Sequence, residues 1–231
     1  MIKCILMDIE GTTTSKDYVF QTLFPFAKTH YKNYINEHLT NPHIQEILKG
    51  VASTVLTEEN KIISFEEKCD YLLHWMEADR KQIDLKKLQG IIWQAGYEKG
   101  LLKSHLYEDV PRMLKQWQQK NIKLGIYSSG SVLAQKLIFQ YSTYGDLTPF
   151  LSNYFDTVVG HKRDPNSYKQ IEKELNIPAP NILFLSDTPE ETQAASLANF
   201  KVGLIDREKI SHDAPGITTY KSFSTLDLDS I

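Results

Sequence analysis

The chain has 231 residues, 41% of them hydrophobic, with 26 Lys and Arg against 29 Asp and Glu, a formal net charge of −3 and two cysteines. At this length a folded chain buries roughly 70–75% of the surface its unfolded form exposes, so an apolar core suffices without disulfides or structural metal, in one large domain or one carrying a smaller second. The balanced charge, without clustered Lys and Arg, argues against nucleic acid as a partner, and no stretch approaches the ~20 apolar residues of a membrane span.

The first apolar run, Ile2–Met7, reads as a strand and ends in Asp8, Ile9, Glu10, Gly11, Thr12, Thr13 and Thr14. Asp8 and Glu10 cut it short of the ~7–15-residue apolar region of a signal peptide. Cys4 in this run and Cys69 far along the chain read as reduced packing residues, so a cytoplasmic location is expected. About 110 residues then separate Met7 from the next apolar run, too many for one crossover helix.

That interval reads as almost wholly helical. Phe20, Leu23, Phe24 and Ala27 form one stripe and Ile44, Ile47 and Leu48 a second; Ser64 with Glu67 makes a capping box ahead of Tyr71, Leu72 and Trp75. Leu85, Leu88, Ile91, Ile92 and Ala95 form a further stripe, closed by Gly96 or Gly100. Residues 16–100 are therefore expected to form a helical insertion over the sheet's carboxyl edge, with 1–15 and 101–231 as the sheet domain.

Four more apolar runs follow: Ile122–Tyr127, Phe155–Val159, Ile182–Leu185 and Val202–Ile205. Runs of this length without strict alternation are the pattern of strands buried on both faces of a parallel sheet. Val110, Met113, Leu114 and Trp117 around Pro111, Ile171 and Leu175 after Pro165, and the segment opened by Pro189 fit crossover helices. Strand and helix alternating in this way predict an α/β fold with a doubly wound parallel sheet.

Ligands of such sheets bind beyond the carboxyl ends of the strands. The candidates are Asp8 to Thr14, then Ser128, Ser129, Gly130 and Ser131, then Gly160, His161, Lys162 and Arg163, then Ser186, Asp187, Thr188, Pro189, Glu190 and Glu191. Each has a plain structural reading: the acids as loop or cap residues, Ser128 to Ser131 as the cap of a helix through Leu133, Leu137 and Ile138, Lys162 as a solvated surface group. Together they read differently. Carboxylates gathered at one edge repel and raise one another's pKa unless a cation sits among them, and Mg²⁺, which takes oxygen ligands and a phosphate oxygen, suits that edge.

The order D-x-E-G-T-T after the first run, S-S-G-S after the second, G-H-K with P-x-x-Y following, and S-D before P-E-E resembles the four motifs of the haloacid dehalogenase superfamily of aspartyl phosphatases. The strings LMDIEGTTT, DRKQIDLKKLQGIIW, IYSSGSVLAQKLIF, FDTVVGHKRDPNSY and NILFLSDTPEE resemble, more narrowly, its enolase-phosphatase family of methionine salvage. The resemblance implies a haloacid dehalogenase-like core with a helical cap after the first strand. It implies Asp8 as nucleophile and Glu10 as general acid and then base, with a phosphoryl group held by the Ser128 hydroxyl, the Ser129 N–H and the Lys162 ammonium. Mg²⁺ would lie on the carboxylates of Asp8 and Asp187 and the backbone carbonyl of Glu10. The implied substrate is a small phosphate ester, 2,3-diketo-5-methylthiopentyl 1-phosphate, enolised and then dephosphorylated to 1,2-dihydroxy-3-keto-5-methylthiopentene. A capped phosphatase for another phosphomonoester, a metal-independent dehalogenase and a non-catalytic phosphate-binding module are the competing readings. The base of the enolisation is open between Glu10 and a residue of the insertion.

Glu191 is placed on a metal-bound water, and His161 beside the site. Lys81, Lys86 and Lys87 read chiefly as solvated helix faces, with one of them open as a substrate contact. The histidines, His30, His38, His43, His74, His105, His161 and His212, lack metal-ligand spacing with cysteine and read as surface or packing residues. The tail from Asp206, including Pro215 and Gly216, carries no readable chemistry and is expected to finish the sheet or pack beside it. A monomer is expected.

Overall fold

The strand β1, Cys4–Met7, is a run of four buried side chains that no amphipathic element could carry, and it lies mid-sheet. The structure is a computed structural model in which residues 1–207 and 216–231 are described; His212 and Pro215 lie outside the described residues. Its other strands are β2 (Lys123–Tyr127), β3 (Asn153–Phe155), β4 (Ile182–Ser186), β5 (Lys201–Ile205) and β6 (Thr219–Tyr220), in the order β3-β2-β1-β4-β5-β6 and parallel throughout. The expected doubly wound α/β sheet is therefore present, with its order reversing at β1. The short β6 beside β5 finishes the sheet, as expected of the tail.

The crossovers are helices α5 (Asp109–Gln119), α6 (Val132–Gln140), α7 (Pro165–Leu175) and α8 (Pro189–Leu197), and the insertion between β1 and β2 holds α1 (Phe24–Glu37), α2 (Pro42–Glu59), α3 (Phe65–Glu77) and α4 (Ile83–Glu98). Proline sits in the first turn of α7 and α8, where its missing N–H is no loss. The backbone divides into two compact units, Met1–Tyr18 with Lys103–Ile231, and Val19–Leu102.

In the sheet unit, alternation sorts the core. Cys4 and Leu6 of β1 and Ile182 and Phe184 of β4 share a face with Tyr168 and Ile171 of α7 and Ala194 and Ala195 of α8. Val110, Met113, Leu114 and Trp117 of α5 are all buried, as their spacing predicts. Cys4 and Cys69 are free and buried. Burial pushes the Cys4 thiol up to about 12, against a small opposing effect of Lys123, so it packs as an inert hydrophobe.

In the helical unit, Ser64 and Glu67 form the predicted capping box, with Ser64 Oγ accepting from the Glu67 N–H at 3.2 Å and Glu67 Oε2 from the Ser64 N–H at 2.8 Å. Ile44, Ile47 and Leu48 of α2, with Val51 and Val55, meet Leu85, Leu88 and Ile92 of α4 in its interior. The stripe starting at Phe20 departs from expectation: Tyr18–Leu23 is a π-helical turn, and its wider winding leaves Phe20 exposed while Leu23 and Ala27 are buried. Gly96 is no helix end. It lies inside α4, where an added Cβ would come 2.6 Å from the Phe26 ring. No described helix is long and apolar enough to cross a membrane.

Candidate active site

The parallel register fixes which residues meet at the carboxyl edge. Met7 is level with Ile126 of β2 and Leu185 of β4, and the Asp8 N–H continues the ladder to the Leu185 carbonyl at 2.9 Å. Asp8 therefore leaves the sheet level with Tyr127 and Ser186, and Ser128 and Asp187 each follow one residue later. All three sites, on β1, β2 and β4, flank the point where strand order reverses. Asp8, Ser128 and Asp187 are 5%, 3% and 8% exposed.

Beyond Asp8 the chain does not stay extended. Ile9 lies in a bend, and its carbonyl accepts the N–H groups of Thr12, Thr13 and Thr14 at 3.2, 2.9 and 3.0 Å. Strand alternation therefore does not by itself carry Glu10 back to the face of Asp8. Gly11, at φ +73°, closes this turn, and a Cβ there would come 2.2 Å from Asp187 Oδ2. Gly11→Ala is expected to cost about 1–2 kcal/mol for the left-handed backbone alone, and to push the Asp187 carboxylate away. A fall in the thermal midpoint together with weakened divalent-ion binding in titration calorimetry checks this.

Lys162 does not follow a strand directly. β3 ends at Phe155, four residues earlier than the Phe155–Val159 run suggests, because Asp156–Val159 turns on the Asp156 carboxylate, which accepts the Val158 N–H at 2.9 Å. The loop is then held by the Tyr127 hydroxyl donating to the Gly160 carbonyl at 3.0 Å and the Tyr168 hydroxyl donating to the Lys162 carbonyl at 2.6 Å. These anchors bury Lys162, so the plain alternative of a solvated surface group does not hold and the residue stands with the other candidates. Its Nζ lies 2.6 Å from both Asp8 Oδ1 and Glu191 Oε2, and Ser186 Oγ donates to the same Glu191 oxygen at 2.8 Å.

Burial opposes the Lys162 charge, yet the Asp8 and Glu191 carboxylates outweigh it and raise the pKa. Asp8 is pushed up to about 8 by burial first; Lys162 pulls it back, and Glu191 and Asp187 push it further up. Two acids thus share one ammonium, with a third, Asp187, beside them. Lys16, which the sequence reading did not single out, pairs with Asp187 Oδ2, 2.6 Å away.

Of the other expected residues, Ser128 Oγ accepts the Gly130 N–H at 3.3 Å, and Ser131, not Ser128, caps α6 by accepting the Ala134 N–H. Ser129 is half-buried on the same loop, and Glu10 is half-buried on the first. The buried Gln135 side chain pins that loop, donating to the Gly130 and Phe155 carbonyls, each at 2.8 Å. His161 is exposed and accepts the Arg163 N–H. Lys81 pairs with Asp79, and Lys87 lies 3.3 Å from Glu46.

His105 belongs to the same framework: its Nδ1 accepts the Ser15 N–H at 3.2 Å, and its carbonyl accepts the Thr14 hydroxyl at 2.7 Å. Burial, then Arg207, lowers its pKa, so the folded protein prefers neutral imidazole. A depressed histidine means that the unfolded chain takes up the proton first, so stability falls as pH drops below about 6.5. The His105→Asn variant is expected to lose less stability over that range in urea titrations at pH 7 and 5.5.

The residues fit a divalent cation in chemistry. Asp8, Asp187 and the Glu10 carbonyl offer hard oxygen donors, and Mg²⁺ ordinarily takes only one or two carboxylates plus waters. Among the described residues no cluster of three His, Cys, Asp or Glu side chains is assembled for metal.

A family model described as haloacid dehalogenase-like hydrolase matches residues 2–199, and the chain belongs to that family. It is 43% identical over 231 residues to enolase-phosphatase E1 of Persephonella marina, across 100% of this chain and 99% of that protein. It is 41% identical over 223 residues to enolase-phosphatase E1 of Aquifex aeolicus, covering 96% and 98%. Within the hydrolases, then, its place is among the enolase-phosphatases, and it is a phosphatase. The crystal structure of the UTR4 protein from Saccharomyces cerevisiae superposes with a TM-score of 0.82 at 31% identity, covering 98% of this chain and 100% of that one. A 2-haloacid dehalogenase from Pseudomonas syringae shares the fold, with a TM-score of 0.60 at 16% identity over 96% and 95% of the two chains.

Proposed function

We propose that the protein is a Mg²⁺-dependent enolase-phosphatase of methionine salvage. It converts 2,3-diketo-5-methylthiopentyl 1-phosphate to 1,2-dihydroxy-3-keto-5-methylthiopentene by enolisation and then dephosphorylation. The observation that carries this is the end-to-end similarity to enolase-phosphatase E1 proteins, in a chain whose Asp8, Lys162 and Asp187 meet at the carboxyl edge of the sheet.

In this reading an Asp8 carboxylate oxygen attacks phosphorus, forming an aspartyl phosphate as the bond to the ester oxygen breaks. Glu10 gives its proton to that leaving oxygen. It then takes one from the water that attacks phosphorus and frees Asp8 and inorganic phosphate. Two easier displacements replace one hard one. The Ser128 hydroxyl, the Ser129 N–H and the Lys162 ammonium hold the phosphoryl oxygens, and their fixed charge is most effective in the transition state. The carboxylates of Asp8 and Asp187 and the Glu10 carbonyl would hold Mg²⁺, which, when bound, offsets negative charge at the phosphoryl group and polarises an oxygen next to the proton lost on enolisation. The enzyme works as a monomer, and its place is the cytoplasm.

The test is a substrate panel with and without Mg²⁺. Phosphate release from the diketone phosphate, with kcat/KM well above that for sugar phosphates and lost on chelation, is expected. A higher kcat/KM for another phosphomonoester overturns the substrate, and activity indifferent to chelation overturns the metal.

A further inference from the structure

We propose that Arg207 is a positioning residue that holds the nucleophile loop, Asp8–Thr14, in its reactive shape. This rests on the reading of Asp8 as the phosphoryl acceptor.

Arg207 comes just past β5, at the edge where the candidate site lies, yet its side chain is 7% exposed. Its three donor atoms are all directed. Nε and Nη2 both donate to the Thr12 carbonyl, at 3.1 and 2.9 Å, and Nη1 donates to Asp109 Oδ1 at 2.6 Å. The other Asp109 oxygen accepts the Phe223 N–H at 2.6 Å. The guanidinium lies over the rings of Tyr107 and Phe223, 4.3 and 4.9 Å from their centroids, and the Tyr107 N–H donates to the Thr13 carbonyl at 3.1 Å.

A buried guanidinium is costly unless its donors are met, and a simple staple between β5 and the tail would need only the Asp109 link. The geometry does more. Two of the three bonds go to a buried carbonyl on the loop that carries Asp8 and Glu10, a carbonyl that the turn on Ile9 does not use. Fixing Thr12 fixes the turn through Gly11, which in turn abuts the Asp187 carboxylate. Arg207 thus connects the end of β5 and the tail residue Phe223 to the nucleophile loop and a proposed metal ligand, with its three donor nitrogens all engaged by the protein. Only the planar fork of arginine reaches one carbonyl twice while keeping a donor for a carboxylate.

The test compares wild type, Arg207→Lys and Arg207→Ala, in phosphate release and in amide exchange of Thr12–Thr14. Arg207→Lys keeps a charge for Asp109 but not the double donation. We expect its kcat to fall about 10- to 100-fold with KM within about twofold, the range a misplacement near 1 Å produces, and its Thr12–Thr14 amides to exchange at least about tenfold faster while β1 and β4 keep their protection. Ethylguanidinium is expected to restore part of the kcat of Arg207→Ala. Wild-type kcat and wild-type exchange in Arg207→Lys, or a loss in Arg207→Ala that follows only the unfolded fraction and is not rescued, would overturn the proposal. A wild type that releases no phosphate from any ester removes the function assigned to Asp8, and the exchange of Thr12–Thr14 then decides the positioning role by itself.

Discussion

Asp8→Asn is expected to lower phosphate release by at least about 10⁴-fold, the scale on which losing a catalytic nucleophile acts. The same change should not weaken the fold. Asp8 is buried against Glu191 and Asp187, and its pKa is pushed up to about 8, so the metal-free folded protein binds a proton there that the unfolded chain, with a carboxyl near 3.8, releases much earlier. Between those values the folded state holds more protons, so stability falls as pH rises. Asparagine carries no such charge and leaves Lys162 its second partner, Glu191, at 2.6 Å. Activity gone, with a thermal midpoint equal to or above wild type at pH 8 without metal, is the joint result expected. A variant that loses activity and midpoint together would make Asp8 a structural residue.

Lys162→Met should fail in the opposite pattern, losing both. Removing the ammonium leaves Asp8 and Glu191 buried and facing each other with no cation between them, and breaking a buried pair from one side costs about 3–5 kcal/mol. It also removes the charge proposed to hold the transferring phosphoryl group, worth a further 10²–10³-fold or more in kcat by the scale of a lost transition-state donor. The two losses can be separated. Adding Asp8→Asn or Glu191→Gln to Lys162→Met neutralises one of the stranded carboxylates, so urea unfolding should recover much of the stability while phosphate release stays absent. No recovery in either double variant would mean that Lys162 is not the counter-charge of this cluster.

The legibility of this chain follows from the physics of each part. A strand buried on both faces must be apolar along its length, so Cys4–Met7 and Ile182–Ser186 stand out as runs, and parallel pairing in register brings the residues after them to one edge. That reasoning located Asp8, Ser128 and Asp187. It also led to Lys162, which reaches Asp8, but it misplaced the end of the strand before it, because a three-residue strand at the sheet margin carries little pattern and its loop is shaped by distant hydroxyls, those of Tyr127 and Tyr168. The same rule extended to the end of β5 would have led to Arg207, whose tie to Thr12 spans most of the chain and leaves no local trace. Lys16 had a signal, being the first cation after the loop, but nothing in spacing says that it meets Asp187. Glu191, placed on a metal-bound water from resemblance, here pairs with Lys162 and Ser186, a contact set by the first turn of α8 following β4 directly.

The account turns on Asp8 becoming phosphorylated. Acid quenching during turnover of the phosphate ester with Mg²⁺, then borohydride reduction and peptide mass spectrometry, reads this directly. Reductive conversion of Asp8, and of no other carboxylate, to homoserine is the predicted result; an unmodified Asp8 under active turnover, or conversion at a different residue, would contradict it.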